Sequence, residues 1–176
     1  MRKDEAISAQ EAAAIMGVHF TRPARMASAG LIKTVDILVG ISISGDRLSK
    51  VYSRLQAEEN YQDYILSLKR RVRRRPREYL EERSEVFEYL AAEGRPKIAL
   101  HDAIGTAEAG KILSVSTSWV SSLALENQII GRVSWSGRAV NRTWIISKAS
   151  CIENRLSIER KKLSGETLFG RPRKLS

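Results

Sequence analysis

Residues 7–18 read Ile-Ser-Ala-Gln-Glu-Ala-Ala-Ala-Ile-Met-Gly-Val, and residues 104–115 read Ile-Gly-Thr-Ala-Glu-Ala-Gly-Lys-Ile-Leu-Ser-Val. The two stretches lie 97 positions apart and share an initial isoleucine, a glutamate among alanines, an aliphatic pair and a final valine. The register continues along the chain, where Gly30 aligns with Asn127 and Ile32 with Ile129. A repeat of this length predicts that the chain is built from two similar units.

Each copy of the repeat has the pattern of two short helices joined by a tight turn. In the first copy, Ser8 and Glu11 have the spacing of a capping box at a helix start. Pro23 suits the first turn of the second helix, where a backbone N–H is not needed. Gly30 and its counterpart Asn127 both tolerate the left-handed conformation that ends a helix. This is the pattern of a helix-turn-helix, which lays its second helix in the DNA major groove.

The segments that follow the first pair of helices predict strands and then long helices. Residues 35–39 and the alternating residues 41–43 are typical of short strands. Asp46 is expected to cap a helix, because a helical apolar stripe follows it. That stripe consists of Leu48, Val51, Tyr52 and Leu55. A further helix is expected between Pro76 and Gly94, and these stripes indicate either a dimerisation element or a cover for the cores of the two units.

The second unit has the same opening and a clearer hairpin. Thr106 and Ser116 are expected to cap its two helices, residues 129–146 to form a hairpin, and Ser147 to cap a last helix. The residues expected to face inward from that helix are Ala149, Ile152 and Leu156. From residue 161 the chain is rich in serine, glycine and arginine, which favours a flexible tail.

The composition limits the partners and the compartment. The formal net charge is +10 and the sequence pI is about 10.0, which suits a polyanion such as nucleic acid. Cys151 is the only cysteine, so an intramolecular disulfide and a cysteine-based zinc site are excluded. No apolar run approaches the roughly 20 residues that cross a bilayer. We expect no cofactor, no metal, no membrane association and a cytoplasmic, nucleoid-associated protein.

The run from Thr106 to Val120 resembles the excisionase and MerR-like winged helix-turn-helix family. It reads Thr-Ala-Glu-Ala-Gly-Lys-Ile-Leu-Ser-Val-Ser-Thr-Ser-Trp-Val, with an acidic residue among small ones, an aliphatic pair, a turn and a short second helix. The family's wing ends in an aromatic-bearing strand and a capped helix, as residues 144–148 do here. The resemblance covers residues 103–154 well and residues 7–33 in the helices only, so the second copy is the better match.

The resulting prediction is a mainly α protein with small β wings, in which a helical segment links two winged helix-turn-helix units. The predicted segments are residues 1–45, an N-terminal helix-turn-helix unit with a short wing; 46–97, a helical linker or dimerisation segment; 98–160, a C-terminal winged helix-turn-helix; and 161–176, a flexible basic tail.

The resemblance implies that DNA contacts lie at the start of each second helix and on the wings. In the first copy these positions hold His19, Phe20, Thr21, Arg22 and Arg25, and Lys33 follows that helix. In the second copy they hold Thr117, Ser118, Ser121 and Ser122, with Arg132, Arg138, Asn141 and Arg142 on the wing. Arginine pairs well with guanine or phosphate, whereas serine and threonine release no counterions. The alternative is that the arginines form an ordinary solvated surface.

The densest charge in the chain lies between the two units. Its basic residues include Lys69, Arg70, Arg71, Arg73 and Arg74. So many like charges on one helix end favour an anionic partner, such as a DNA backbone that runs between the units. Two alternatives are pairing with the acidic residues of the following helix and simple solvation.

The predicted function is sequence-specific binding of double-stranded DNA, as a repressor, an antitoxin-type autoregulator or an excisionase-like architectural factor. A homodimer through residues 46–97 and a protein partner held by Leu168 and Phe169 in the tail are further expectations. An enzyme is not expected, because His19 and His101 have no catalytic or metal-ligand spacing. The alternative is a protein-interaction scaffold whose winged units are degenerate.

Overall fold

The computed structural model describes residues 4–68, 77–135 and 142–164, in which two units share the element order strand–helix–helix–strand–strand–helix. The first unit comprises β1 (Ala6–Ser8), α1 (Ala9–Met16), α2 (Arg22–Ser28), β2 (Thr34–Ser42), β3 (Gly45–Ser53) and α3 (Arg54–Leu68). After α4 (Arg77–Ala91) and a 3₁₀ turn (Leu100–Asp102), the second comprises β4 (Ala103–Ile104), α5 (Thr106–Leu113), α6 (Thr117–Leu125), β5 (Gly131–Val133), β6 (Trp144–Ser147) and α7 (Lys148–Leu163). The repeat in the sequence is therefore a repeat in the structure.

Each unit contains a three-stranded antiparallel sheet with the same strand order. The orders are β1-β3-β2 and β4-β6-β5. Thr34 pairs with Tyr52 in the first sheet, and the corresponding pair in the second sheet is Gly131 with Ile146. The equivalence of the two hairpins thus extends to the register of their strands.

The prediction of a mainly α protein with small wings is wrong. The described residues form seven helices and two three-stranded sheets, which is an α/β mix. The main error concerns residues 46–53, since Asp46 lies in strand β3 and does not cap a helix. The apolar stripe through Val51 fits a helix, but the backbone pairs with β2 along the whole strand. The boundary at residues 45/46 therefore cuts a hairpin in two.

The other capping signals, apart from Asp46, were predicted well with one exception. Ser8 and Glu11 form the expected capping box, and Ser116 and Ser147 cap α6 and α7. The prediction that Thr106 caps α5 is wrong, because the preceding glycine occupies the cap position. The left-handed residues also repeat, with Gly17 and Ser114 ending the first helices and Gly30 and Asn127 following the second.

The prediction for the inward face of α7 is wrong. Ile152 is 57% exposed and Leu156 is 67% exposed, and Ala149 is also exposed. Cys151 and Ile158 are buried in the second core in their place. An apolar stripe on α7 therefore faces solvent.

The middle helices belong to the first unit. Ala57 of α3 and Val86 and Leu90 of α4 are buried in the same core as Ile15 and Met16 of α1. This supports the interpretation that the apolar positions of these helices cover a core. Dimerisation through residues 46–97 stays a prediction.

A shared core joins the two units. Its buried residues come from both sheets, with Ala6, Ile37 and Val51 from the first unit and Ala103 and Ile145 from the second, together with Ile98 and Leu100 from the connection. Ala6 and Ala103 are equivalent in the repeat, and so are Val51 and Ile145. The interface is thus approximately self-complementary, as in a two-fold dimer.

The first hairpin crosses the start of α5 at very short range. A Cβ atom on Gly105 would lie 2.0 Å from the carbonyl oxygen of Leu38, so only glycine fits there. The hydroxyl of Thr106 donates a hydrogen bond to the carbonyl oxygen of Val39 at 3.1 Å. These contacts fix the hairpin of the first unit against the start of α5 in the second unit.

We expect Gly105→Ala to lower the free energy of unfolding by at least about 1–3 kcal/mol, because the added methyl group meets rigid backbone. Urea denaturation measures the change. Gly40→Ala is the matched control: its Cβ would have only the Cβ of Arg47 nearby, at 3.7 Å. Equal losses from the two substitutions would contradict the close approach of hairpin and helix.

Candidate nucleic-acid interface

The predicted contacts of the first unit lie together on one exposed surface. His19, Phe20, Thr21, Arg22 and Arg25 are all exposed. The rings of His19 and Phe20 lie 4.3 Å apart, and His19 Nδ1 lies 3.0 Å from Thr21 Oγ1. Neither Arg22 nor Arg25 forms an ion pair with a described residue. Helix α2 therefore offers two guanidinium groups to an external anion.

Lys33 is also exposed and follows α2 by five residues. Its backbone N–H donates to the side chain of Gln56 at 2.5 Å, which ties the end of the helix-turn-helix to α3. The Lys33 ammonium group forms no ion pair with a described residue.

The predicted contacts of α6 are four hydroxyl groups that differ in exposure and in whether they donate a hydrogen bond to their own helix. Thr117 and Ser118 are exposed, whereas Ser121 and Ser122 are half-buried. The last two donate to carbonyl oxygens one turn earlier in their own helix, at 3.3 Å each. The start of α6 is therefore the part of this helix with the most freedom to contact a ligand.

A cleft of about 230 Å³ lies beside the start of α6 and is lined by both units. Its lining is Val39 and Arg47 from the first hairpin, Thr106, Thr117, Ser118 and Ser121 from α5 and α6, and Arg142, Thr143 and Trp144 from the second hairpin. Arg142 was predicted as a wing contact. Arg47 was missed, because its segment was predicted as a linker helix and no signal in the sequence places it beside α6.

A larger groove of about 660 Å³ lies between the same hairpin and the turn of the second helix-turn-helix. Gly40 and Ile41 form one wall, and Lys111, Val115 and Trp119 lie on the other side. Residues of the first hairpin therefore line both the cleft and the groove, and Thr117 lines both as well.

The prediction that Arg132 contacts DNA does not fit its position. Arg132 is only 3% exposed, and it pairs with Glu11 of the first unit. Its guanidinium group donates to the two carboxylate oxygens of Glu11 at 2.8 and 3.1 Å and to the carbonyl oxygen of Ala6 at 2.6 Å. Arg132 thus joins the units instead of facing a ligand.

A second buried carboxylate extends this charged cluster. Glu5 lies 2.5 Å from a guanidinium nitrogen of Arg95 and 2.8 Å from one of Arg54. Burial raises the pKa of the Glu5 carboxyl, but Arg95 and Arg54 lower it by more, so the net pKa lies below its ordinary value. The cluster therefore holds its carboxylate charged by surrounding it with arginines.

Several predicted contacts lie outside the described residues. They are Lys69, Arg70, Arg71, Arg73 and Arg74 between the units, Arg138 and Asn141 on the second wing, and Leu168 and Phe169 in the tail. The interfaces proposed for them stay predictions.

Within the described part of the chain, no group of three or more His, Cys, Asp or Glu side chains is placed to hold a metal ion. No helix there is long and apolar enough to cross a membrane. His19 and His101 are both exposed, and they lie apart in the fold: His19 precedes α2 in the first unit, and His101 lies in the 3₁₀ turn of the connection.

We expect Cys151 to resist alkylation by iodoacetamide at pH 8 in the folded protein and to react quickly in urea. Burial raises the pKa of its thiol to about 12, with a smaller contribution from Asp102, so the reactive thiolate is scarce. Mass spectrometry counts the modified fraction directly, since Cys151 is the only thiol. Labelling of the folded chain at the rate of an exposed thiol would contradict its burial.

We expect Glu11→Gln to lower the free energy of unfolding by about 3–5 kcal/mol, because it removes the carboxylate that lies 2.8 Å from the buried Arg132 and leaves only Glu5 among the described carboxylates, at 3.8 Å. Glu108→Gln is the control at the equivalent position. Glu108 is partly exposed and lies 3.8 Å from Lys148, so its loss is expected to cost less than about 1 kcal/mol. Similar urea midpoints for the two variants would contradict the assigned role of Glu11.

Comparisons with protein-family models, curated proteins and solved structures found no match to this chain. The resemblance to excisionase and MerR-like proteins therefore stays a prediction from the sequence.

Proposed function

We propose that this chain binds double-stranded DNA through its two helix-turn-helix units and acts without catalysis. Helices α2 and α6 would enter successive stretches of the major groove, as second helices of this motif do. The observation that carries the proposal is the exposed pair Arg22 and Arg25 on α2, which no described carboxylate neutralises. The net charge of +10 acts in the same direction by drawing the chain toward polyanions.

The two units contribute differently to this proposed interface. Helix α2 offers guanidinium groups, which pair with guanine or with phosphate and release counterions. Helix α6 offers Thr117 and Ser118, whose hydroxyls contact bases or phosphates without adding charge. We infer that α2 supplies more of the affinity and that α6 adds selectivity within a two-part site.

The shared core makes the two sites a single rigid ligand for DNA. Once α2 is bound, α6 is held nearby at a high effective concentration, which raises the overall affinity without new contacts. A repressor, an antitoxin-type autoregulator and an excisionase-like architectural factor all fit such a two-part DNA ligand.

A protein-interaction scaffold is the second candidate, favoured by the exposed stripe on α7. Ile152, Leu156 and Leu163 are 57%, 67% and 87% exposed and are spaced by four and seven residues along the helix. This spacing places them on one helix face, where an amphipathic partner helix can pack.

We expect the double variant Arg22→Gln/Arg25→Gln to lower affinity for duplex DNA roughly 10- to 100-fold near 0.1 M salt. The slope of log affinity against log salt should fall by about two, because two phosphate contacts are lost. Fluorescence anisotropy with a labelled random duplex, followed by selection of bound sequences, measures both quantities.

The control is Arg155→Gln/Arg160→Gln, which removes the same charge from the exposed surface of α7. Equal losses from the two double variants would show that only bulk charge matters and would contradict the assigned interface. A wild-type chain that does not bind duplex DNA would reject the function and favour the scaffold.

A further inference from the structure

We propose that the cleft between the β2–β3 hairpin of the first unit and α6 of the second binds one phosphate group of the DNA backbone. In this arrangement the hairpin of one unit serves as a wing for the helix-turn-helix of the other. The inference rests on the proposed function and adds to it a specific site that requires both units.

Two cations from different units line this cleft. Arg47 projects from β3, and Arg142 lies two residues before β6. Neither forms an ion pair with a described residue, and none of the described residues that line the cleft is acidic. Both arginines are exposed, and two guanidinium groups on one cleft without a described carboxylate partner favour the binding of an anion there.

Hydrogen-bond donors at the start of α6 complete the site. The amide groups of the first turn have no acceptor within their own helix, and Ser116 caps only the amide of Trp119, at 3.3 Å. These amides and the positive end of the helix dipole favour an anion. A phosphate in the cleft would therefore meet backbone donors as well as charge.

The five hydroxyl groups of the cleft divide into three that already have a hydrogen-bond partner and a pair without one among the described residues. Ser118 Oγ lies 3.0 Å from Ser116 Oγ. Thr106 and Ser121 already donate to carbonyl oxygens at 3.1 and 3.3 Å. Thr117 and Thr143 have no side-chain hydrogen bond of this kind with a described residue. The second pair can turn their hydroxyl hydrogens toward a bound oxyanion at no cost to the fold.

The size of the cleft suits a phosphate group. Its volume of about 230 Å³ is below the roughly 300–1,000 Å³ of pockets that enclose a larger organic ligand. It leaves room for a phosphate that keeps part of its hydration. An open cleft beside a helix start is also reachable by a continuous DNA backbone.

The placement of the hairpin that carries Arg47 is set by contacts between this hairpin and the start of α5. The backbone of Leu38 rests on Gly105, and the Thr106 hydroxyl holds the carbonyl of Val39. These contacts set the hairpin against α5 before any ligand binds. The arginines that α6 lacks are thus supplied at its start by Arg47 of the other unit and by Arg142.

The test compares duplex DNA binding of the full chain with that of Arg47→Gln, Arg142→Gln and the double variant across a salt series. Each single substitution is expected to lower affinity roughly five- to tenfold near 0.1 M salt and to reduce the salt slope by about one. If both arginines hold the same phosphate, the double variant should lose less than the product of the single losses. Arg47→Lys, which keeps the charge, should retain the salt slope.

The control is Arg160→Gln, an exposed arginine of α7 outside the cleft, which should change affinity much less. Equal losses from Arg47→Gln and Arg160→Gln would overturn the inference. Unchanged binding by the Arg47 and Arg142 variants, together with weak binding by the Arg22/Arg25 variant, would also overturn the inference. That result would leave the proposed function standing.

A chain that does not bind duplex DNA would reject the proposed function and the DNA source of the phosphate together. A titration with inorganic phosphate then tests whether the cleft binds a phosphate group at all. The amide resonances of Thr117 and Ser118 are followed by NMR during the titration. Shifts that disappear in the Arg47→Gln/Arg142→Gln variant would assign the cleft to a free phosphate. Absence of such shifts would overturn the site.

Discussion

The carboxylate of Glu11 is the interaction on which the arrangement of the two units depends. It accepts hydrogen bonds from the backbone N–H of Ser8 at 2.8 Å, from two nitrogens of Arg132, and from the backbone N–H of Trp135 at 2.8 Å. One side chain therefore starts helix α1, neutralises a buried guanidinium group and holds the second hairpin. A buried ion pair is weak evidence for net stability, because desolvation opposes the attraction between the charges. What it does here is connect α1 of the first unit to the second hairpin through directional hydrogen bonds.

The repeat shows that the Glu11–Arg132 ion pair is specific to one side of the interface, because the equivalent positions on the other side do not form it. The register of the sheets places Val35 where Arg132 stands in the second unit, and Glu108 where Glu11 stands in the first. Val35 packs against the shared core, and Glu108 is partly exposed near Lys148. One side of the approximate two-fold is thus ionic and the other apolar. The two units are therefore not equivalent at their interface. They also differ in their second helices, since α2 carries exposed arginines and α6 carries serine and threonine.

The sequence predicted what local chemistry determines. The capping box at Ser8 and the left-handed positions at Gly30 and Asn127 depend on neighbours within a few residues, and each is present. The strand at residues 45–53 was missed, because its apolar stripe fits a helix and only pairing with β2 decides between the two. The burial of Arg132 depends on a partner 121 residues away. Arg47 reaches the cleft only because the hairpin crosses the other unit.

Each hairpin packs against the other unit, so the contact between hairpin and neighbouring unit is made twice. The first hairpin lies on α5 through the contact of Leu38 with Gly105, and Trp135 of the second hairpin packs against the first core. In the sequence alignment Leu38 and Trp135 are equivalent, so each unit is completed by the same position of the other. Here the surface beside α6 includes Arg47, so the second unit alone lacks part of it. The cleft beside α6 is therefore a joint feature of the two units, and neither half contains it alone.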